Sequence, residues 1–158
     1  MSLHILNNKF ILYFHDPLSY NWTLQSYINI ADVGSIEDYW YINSLLREHL
    51  HLGMFFLMRD KISPLWNETN NNYSFSMKVL KNESLWYWNH MNSLVLSENF
   101  LNTKYKDKLK TINGLSISPK KNFCIIKIWS TEIINDDIRK VYKIPDKYTG
   151  DIVVKKYN

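Results

Sequence analysis

The order of periodicities along the chain constrains its fold more than any other feature. Two extended stretches come first, at 9–15 and 23–30, and a stretch with helical period follows them. Strand pairs and helices then continue to alternate; the clearest strand is Ser74–Val79, where polar and apolar residues alternate as in a half-buried strand. This order predicts an α+β fold, a curved antiparallel sheet with three helices on one face. The other face is left free to bind a ligand.

The three predicted helices are marked by turn and cap signals. Ser35–Asp38 has the pattern of a capping box, and an apolar stripe that includes Trp40 continues to Leu50. A second helical stretch covers residues 82–97, and a third is capped by Asn135 or Asp136 and ends before Pro145. A final strand is predicted at Ile152–Val154. Residues 99–121 have no readable period. Their alternating lysines, Lys104 to Lys110, fit either a solvated loop or a flap that attracts phosphate.

Composition limits the class of protein. With 158 residues and 19.0 kDa, the chain is predicted to be a single domain, 1–158. No apolar run reaches the roughly 18 residues of a membrane helix and no signal peptide is evident, so we expect a cytoplasmic protein without membrane contact. The only cysteine, Cys124, lies in an apolar run and is predicted to be a buried, inert thiol.

The motifs of catalysis are missing from the sequence. It has no Ser/His/Asp motif and no glycine-rich phosphate loop, and His49 and His51 are badly spaced for one metal ion. A nucleotide-processing hydrolase would need clustered acids, whereas the acids here are scattered, and Asp136-Asp137 is the only adjacent pair outside a helix-capping context. We therefore predict a binding protein without catalysis, cofactor or metal.

Charge is distributed unevenly between the two parts of the chain. The net charge is +4, but residues 1–100 hold six Lys/Arg against nine Asp/Glu, and residues 101–158 hold thirteen against six. A basic excess confined to the last third favours a local anionic contact, although a merely solvated lysine-rich face also fits.

Three tryptophans stand in loops or at strand edges. Trp66 lies in a polar turn, 60–68, between two apolar runs, and Trp22 and Trp129 have comparable surroundings. An exposed indole costs apolar area unless something covers it, so either the core or a ligand must pack against these rings.

Taken together, these residues match a known family. The chain from about His4 to Tyr157 resembles the eukaryotic initiation factor 4E family, the messenger-RNA cap-binding translation factors. The matching pieces, in family order, are Asn21-Trp22, Ser35–Trp40, Ile62–Trp66, Ile126–Glu132 and Val141–Lys143. The resemblance implies a cupped antiparallel sheet with its three helices on the convex face and a ligand slot on the concave side. It also implies a monomer that binds capped mRNA.

The resemblance assigns a role to each of these tryptophans. It implies that the 7-methylguanine base of the cap stacks between Trp22 and Trp66, and that Trp129 contacts the methyl group. Methylation makes the base cationic, so each indole face gains cation–π attraction beyond ordinary stacking.

The remaining cap contacts depart from the family pattern. Asn67 stands where the family has a glutamate that reads the guanine edge, and Glu68 follows one step later, so either residue could make this contact. Lys120 takes the place of a phosphate-binding arginine, with Lys121 beside it. Lys127 shares a strand face with Trp129 and could replace a family lysine whose position holds Ile125.

The resemblance also implies a convex surface that takes a helical peptide, from a scaffold factor of the initiation factor 4G type or from a regulatory protein. Trp40 corresponds to the central tryptophan of this surface, unless its helix buries it, and the surface includes His4 and Ile36. Where the family shows leucine, glutamate and leucine, this chain has Asn89, His90 and Ser93. We expect a factor that recruits mRNA for translation initiation. The alternatives are a cap-binding decoy or repressor that does not engage the scaffold, and an interaction domain without ligand.

Overall fold

A computed structural model describes residues 3–66 and 70–157. The strands and α-helices, in chain order, are β1 (Ile5–His15), β2 (Ile28–Ser35), α1 (Ile36–Leu46), β3 (Met54–Arg59), β4 (Tyr73–Leu80), α2 (Ser84–Leu96), β5 (Ile112–Pro119), β6 (Phe123–Ser130), α3 (Ile138–Val141) and β7 (Ile152–Lys156). Short 3₁₀ helices occur at Leu24–Ser26, Leu50–Leu52, Lys81–Glu83 and Thr103–Thr111.

The strands form one curved seven-stranded sheet in the order β2-β1-β3-β5-β6-β4-β7. Each pair of neighbours is antiparallel. The predicted α+β class, with a curved antiparallel sheet and helices against it, is therefore confirmed.

Alternation along the strands gives the sheet two different faces. On one face, Phe75 and Ile126 pack in a large apolar cluster with Tyr39 of α1, Trp88 of α2 and Val141 of α3. The opposite face carries a small cluster of aromatic and apolar side chains: Tyr27, Phe56, Met58, Leu65 and Trp129. All three α-helices therefore cover the same side, and the second cluster lies on the side without them.

The first helix begins as its cap signal predicts. The Ser35 hydroxyl accepts a hydrogen bond from the Asp38 amide at 3.1 Å, as in a capping box. The helix ends at Leu46, and the predicted continuation to Leu50 is instead a short 3₁₀ turn.

The predicted start of the third helix was wrong. Asp137 caps it, since its carboxylate accepts from the Arg139 amide at 3.0 Å, and the helix covers only Ile138–Val141. Asp136 is used elsewhere, because its carboxylate accepts hydrogen bonds from the Tyr105 hydroxyl and the Asp137 amide.

Two further stretches differ from the sequence prediction. The extended run predicted for 23–30 is a 3₁₀ turn at Leu24–Ser26, and β2 begins only at Ile28. The unreadable segment 99–121 contains a nine-residue 3₁₀ helix followed by β5, a central strand of the sheet. Leu115–Ser118 alternates as β4 does, but the pattern is only four residues long, because the register shift between Ile112 and Gly114 interrupts it.

Gly114 allows β5 to approach β3 closely. A Cβ at this position would lie 2.1 Å from the Leu57 carbonyl oxygen and 2.8 Å from the Met58 Cα, both backbone atoms. The pairing of β5 with β6 also shifts by one residue here, and Gly114 lies opposite Trp129. Glycine at this site therefore fixes the surroundings of Trp129.

Cys124 is buried in the main core, as predicted, and burial raises the pKa of its thiol. Among the residues that the structure describes, none of the helices combines the length and the apolar character needed to cross a bilayer.

Candidate functional site

A pocket of about 250 Å³ opens on the sheet face that carries no helices. Its wall combines aromatic rings, small hydroxyl side chains and two lysines: Trp22, Tyr27, Met54, Phe56, Pro64, Trp66, Ser116, Ser118, Lys127, Trp129, Lys155 and Tyr157. The structure thus brings the three tryptophans singled out in the sequence to a single concave site.

Trp129 forms the fixed part of this wall. Its ring is only 5 % exposed, and its Nε1–H donates to the Ser116 hydroxyl at 2.9 Å. The neighbouring Tyr157 ring lies 5.4 Å from it between centroids. Trp129 sits on β6 between β5 and β4, so its position is set by the sheet register.

Trp22 stands on the loop between β1 and β2 and is 39 % exposed. The loop is ordered by its own side chains, since the Asn21 Oδ1 accepts from the amide and the hydroxyl of Thr23 at 3.0 and 2.7 Å. One face of the indole is covered by His15, whose ring is stacked at 4.0 Å between centroids with an interplanar angle of 2°.

Trp66 stands on the loop after β3 and is 47 % exposed. The residues just before it are anchored, because the buried Asn71 amide donates to the carbonyls of Ser63 and Leu65, both at 2.8 Å. Asn113 of β5 in turn donates to the Asn71 Oδ1 at 3.0 Å. The two predicted guanine-edge residues, Asn67 and Glu68, lie outside the described residues.

Tyr157 and Lys155 are pocket residues that sequence reasoning missed. The Tyr157 ring lies 6.0 Å from Trp66, and its hydroxyl is 2.9 Å from the Ser74 hydroxyl. The sequence prediction ended the last strand at Val154, whereas β7 continues to Lys156. Extending the alternation by three residues would have placed Lys155 and Tyr157 on one face.

Tyr27 and Phe56 complete the floor of the pocket. Their rings meet edge to face at 5.3 Å, and Tyr27 also lies 4.8 Å from the His15 ring. Burial raises the pKa of Tyr27 to about 12, so its hydroxyl is neutral at physiological pH.

The predicted phosphate-binding lysines fall into two groups. Lys127 lines the pocket, with its Nζ 5.6 Å from the Trp129 ring centroid. Lys155, across from it on β7, is 5.0 Å from the Tyr157 ring centroid. Lys120 and Lys121 lie in the exposed turn between β5 and β6 and are not part of the pocket wall.

On the helical side, the predicted partner surface is exposed at α1. Trp40 is 46 % exposed, so the alternative of core burial was wrong. His4 holds the start of α1, because its backbone amide donates to the Glu37 carboxylate at 3.0 Å and its carbonyl accepts from the Ile36 amide at 2.9 Å. The side-chain hydrogen bond from His4 lowers the pKa of Glu37.

The α2 part of that surface is polar and occupied by internal contacts. The Asn89 Oδ1 accepts from the Tyr39 hydroxyl at 2.8 Å, and the Ser93 hydroxyl donates to the His90 carbonyl at 2.6 Å. The His90 ring stacks on the exposed Trp86 at 4.7 Å.

Fold and pocket together define a ligand-binding domain whose concave site joins aromatic rings and lysines. The sequence profile of the family "Eukaryotic initiation factor 4E" matches residues 5–155. The chain belongs to the eukaryotic initiation factor 4E family, which confirms the resemblance. The family is one of initiation factors rather than enzymes, in agreement with the prediction that the chain is not an enzyme.

Solved structures with the same fold support this assignment. C. elegans eIF4E-3, in complex with the 4E-binding protein Mextli and a cap analog, is 18 % identical with a TM-score of 0.74, covering 93 % of this chain and 90 % of that one. Ascaris suum eIF4E-3 with m7G cap is 17 % identical with a TM-score of 0.73, covering 99 % and 93 %. Schistosome eIF4E with m7GpppG and 4E-BP is 16 % identical with a TM-score of 0.72, covering 85 % and 76 %. A comparison with curated protein sequences finds no match.

Proposed function

We propose that this protein binds the 7-methylguanosine cap of mRNA, with the base stacked between Trp22 and Trp66. The observation that carries the proposal is that both half-exposed rings line one pocket with Trp129 and two lysines. Solved structures of the same fold contain a cap analog, m7GpppG or an m7G cap, which fits this assignment.

The chemistry of the pocket suits a flat cationic base with a phosphate tail. Each indole face offers stacking worth about 1–3 kcal/mol per base, plus cation–π attraction that only the methylated base receives. Trp129 is held by Ser116 and offers an apolar surface for the methyl group. Lys127 and Lys155 supply positive charge for the phosphates.

Calorimetric titration with 7-methyl-GTP and with GTP tests this proposal. Trp22→Ala and Trp66→Ala should each weaken binding of the methylated ligand by roughly tenfold or more, the equivalent of about 1–3 kcal/mol. The matched control is Trp86→Ala, which removes a similarly exposed indole (43 %) from α2. Equal affinity for the two nucleotides, or equal loss in all three variants, would refute cap binding at this pocket.

The guanine-edge contact stays a prediction. Asn67→Ala and Glu68→Ala, titrated separately, identify the residue that reads the base, because loss of a charge-assisted hydrogen bond should weaken binding more than loss of a neutral one.

The proposed cellular role is recruitment of capped mRNA through a scaffold or regulatory peptide on the convex face. The exposed Trp40 supports such a partner. The internal contacts of Asn89, His90 and Ser93 favour the alternative of a decoy that binds the cap without the usual scaffold. Capture of a 4G-type scaffold on immobilised cap separates the two, because a decoy keeps the cap and loses the scaffold.

A further inference from the structure

His15 is the one fully buried histidine among the described residues, and it lies directly behind the exposed indole of Trp22. It is the last residue of β1 and faces the pocket side of the sheet, where Tyr27 packs against it at 4.8 Å. Trp22 belongs to a loop, whereas His15 belongs to strand β1 and pairs there with Met54 of the neighbouring strand β3. The imidazole therefore connects a loop ring to the rigid sheet.

The hydrogen bonds of His15 fix its tautomer. Its Nε2 lies 2.7 Å from the Asn21 carbonyl oxygen, and because a carbonyl can only accept, Nε2 carries the proton. In the neutral ring, Nδ1 then holds a lone pair, and this atom has no hydrogen-bond partner among the described residues. Protonation would turn this unpartnered acceptor into an unpartnered donor and would add a buried charge.

We infer that His15 presets Trp22 for ligand binding, acting as a neutral aromatic backing that holds the indole with its other face toward the pocket, and that protonation of His15 weakens binding. The inference rests on the proposed role of Trp22 in stacking the cap base. His15 is thus a positioning residue, since its own ring contacts the back of Trp22 and the Asn21 carbonyl.

Two consequences of protonation act in the same direction. A proton on Nδ1 would create a buried donor without an acceptor in the described structure, which favours opening of the loop that carries Trp22. If the stack persists, the imidazolium lies 4.0 Å from the indole centroid, on the face opposite a cationic base. Both cations then compete for the same π system and repel each other across it.

The other titratable groups around His15 do not reproduce this behaviour. Burial raises the pKa of Tyr27 to about 12, so the tyrosine that packs against His15 keeps its proton between about pH 6 and about pH 8. Besides Tyr27, whose ring packs against His15, the neighbouring charged residue is Asp16, the next in the chain, and Lys127 and Lys155 lie in the pocket wall.

Two variants distinguish the stacking role of the His15 ring from the effect of its protonation. His15→Ala removes the backing and should weaken 7-methyl-GTP binding by roughly tenfold at about pH 8, as a lost stacking partner would. His15→Phe keeps a flat ring that cannot be protonated and should restore most of that affinity. Wild-type affinity should fall relative to that of His15→Phe as the pH is lowered, by roughly three- to tenfold once His15 is protonated. Because the ligand's own titration is common to both proteins, their ratio isolates His15.

Each part of the inference, the positioning role and the effect of protonation, has its own refuting result. Wild-type affinity in His15→Ala would overturn the positioning role, and a wild-type to His15→Phe ratio that is constant with pH would overturn the role of the proton. If His15→Ala does not fold, His15→Gln, which keeps a hydrogen-bond donor without an aromatic face, takes its place in the same comparison.

A ligand-free measurement distinguishes failure of this inference from failure of the proposed function. The difference in fluorescence between wild type and Trp22→Phe reports on Trp22 alone, and a protonated imidazole stacked on an indole quenches it. A pH-dependent difference that disappears in His15→Phe supports the stack even if no cap analogue binds. A pH-independent difference, in a protein that binds cap analogue normally, overturns the inference and leaves the proposed function intact.

Discussion

Replacing Lys155 by glutamine tests on which side of the pocket the cap phosphates lie. The family resemblance implies phosphate contacts from Lys120 and Lys121, which the structure places in the exposed turn after β5. The pocket wall instead contains Lys127 and Lys155, each with its Nζ close to an aromatic ring, at 5.6 Å from Trp129 and 5.0 Å from Tyr157. We therefore expect these two lysines to contact the phosphates of a cap whose base lies between the aromatic rings.

The size of the effect follows from the exposure of the lysine. Two unit charges 4 Å apart attract each other by about 4 kcal/mol in a partly shielded site and by about 1 kcal/mol in water. Lys155 is exposed, so the lower value applies, and its loss should reduce affinity by roughly fivefold. Each lysine that neutralises a phosphate of a single strand also adds about 0.7 to the slope of log K against log salt.

The assay measures binding of a short capped RNA by anisotropy between about 50 mM and about 200 mM salt. Lys155→Gln should lower the slope by about 0.7, and Lys127→Gln should do the same. Lys156→Gln is the matched control, since it removes the same charge from the next position of β7, where the alternation points the side chain away. If Lys155→Gln behaves like this control while Lys120→Gln or Lys121→Gln lowers the slope, the placement of the phosphates argued here is refuted.

Two further predictions concern the scaffold of the site. Gly114→Ala should destabilise the protein by at least about 2 kcal/mol in chemical denaturation, because the new Cβ meets backbone atoms of β3. Gly34→Ala is the control and should destabilise much less, since the nearest atom to its Cβ is 3.7 Å away. Equal effects of the two substitutions would contradict the close packing of β5 on β3. Burial raises the pKa of Tyr27 to about 12 from an ordinary 10.0, so its contribution to stability is complete below pH 10 and is lost as the pH rises toward 12. Tyr27→Phe should flatten this decline in alkaline denaturation, and an unchanged decline would show that Tyr27 is not buried as described.

The regular parts of the fold were readable because their periods are clean. The alternation of Ser74–Val79 predicted β4, and the cap at Ser35 gave the start of α1, where the structure shows the expected hydrogen bond. The alternation of β4 and the cap of α1 depend only on residues that are close in sequence, so both can be predicted from the sequence alone.

The elements that were predicted wrongly depend on contacts between residues that are distant in sequence. β5 is central in the sheet, yet its alternation covers only Leu115–Ser118, because the register shift next to Gly114 interrupts the pattern. Only the approach to β3 explains the glycine, and only Trp129 explains Ser116. The third helix was misplaced because Asp136 and Asp137 look equivalent in sequence, whereas Tyr105 engages Asp136 and leaves Asp137 as the cap.

The candidate site shows the same division between local pattern and tertiary contact. Trp22, Trp66, Trp129 and Lys127 were found from loop positions, strand alternation and resemblance, and all four line the pocket. Tyr157 and Lys155 were missed because the predicted strand ended too early. His15 was missed because nothing in an apolar strand ending in histidine indicates that its ring stacks on a tryptophan of the next loop.

Some residues of the pocket wall stand on strands and others on loops. We expect the supports of the loop residues to control the affinity for a ligand. Trp129 and the lysines stand on strands whose register is fixed by many backbone hydrogen bonds, so they are in place before a ligand arrives. Trp22 and Trp66 stand on loops, and in the proposed stacking of the base each ring contributes only what remains after the cost of ordering its loop. The Asn71 hydrogen bonds to Ser63 and Leu65 reduce that cost on one side, and the His15 stack reduces it on the other. Substitutions at these two supporting residues should therefore weaken binding without touching the ligand, and they should do so through the loops rather than through the sheet.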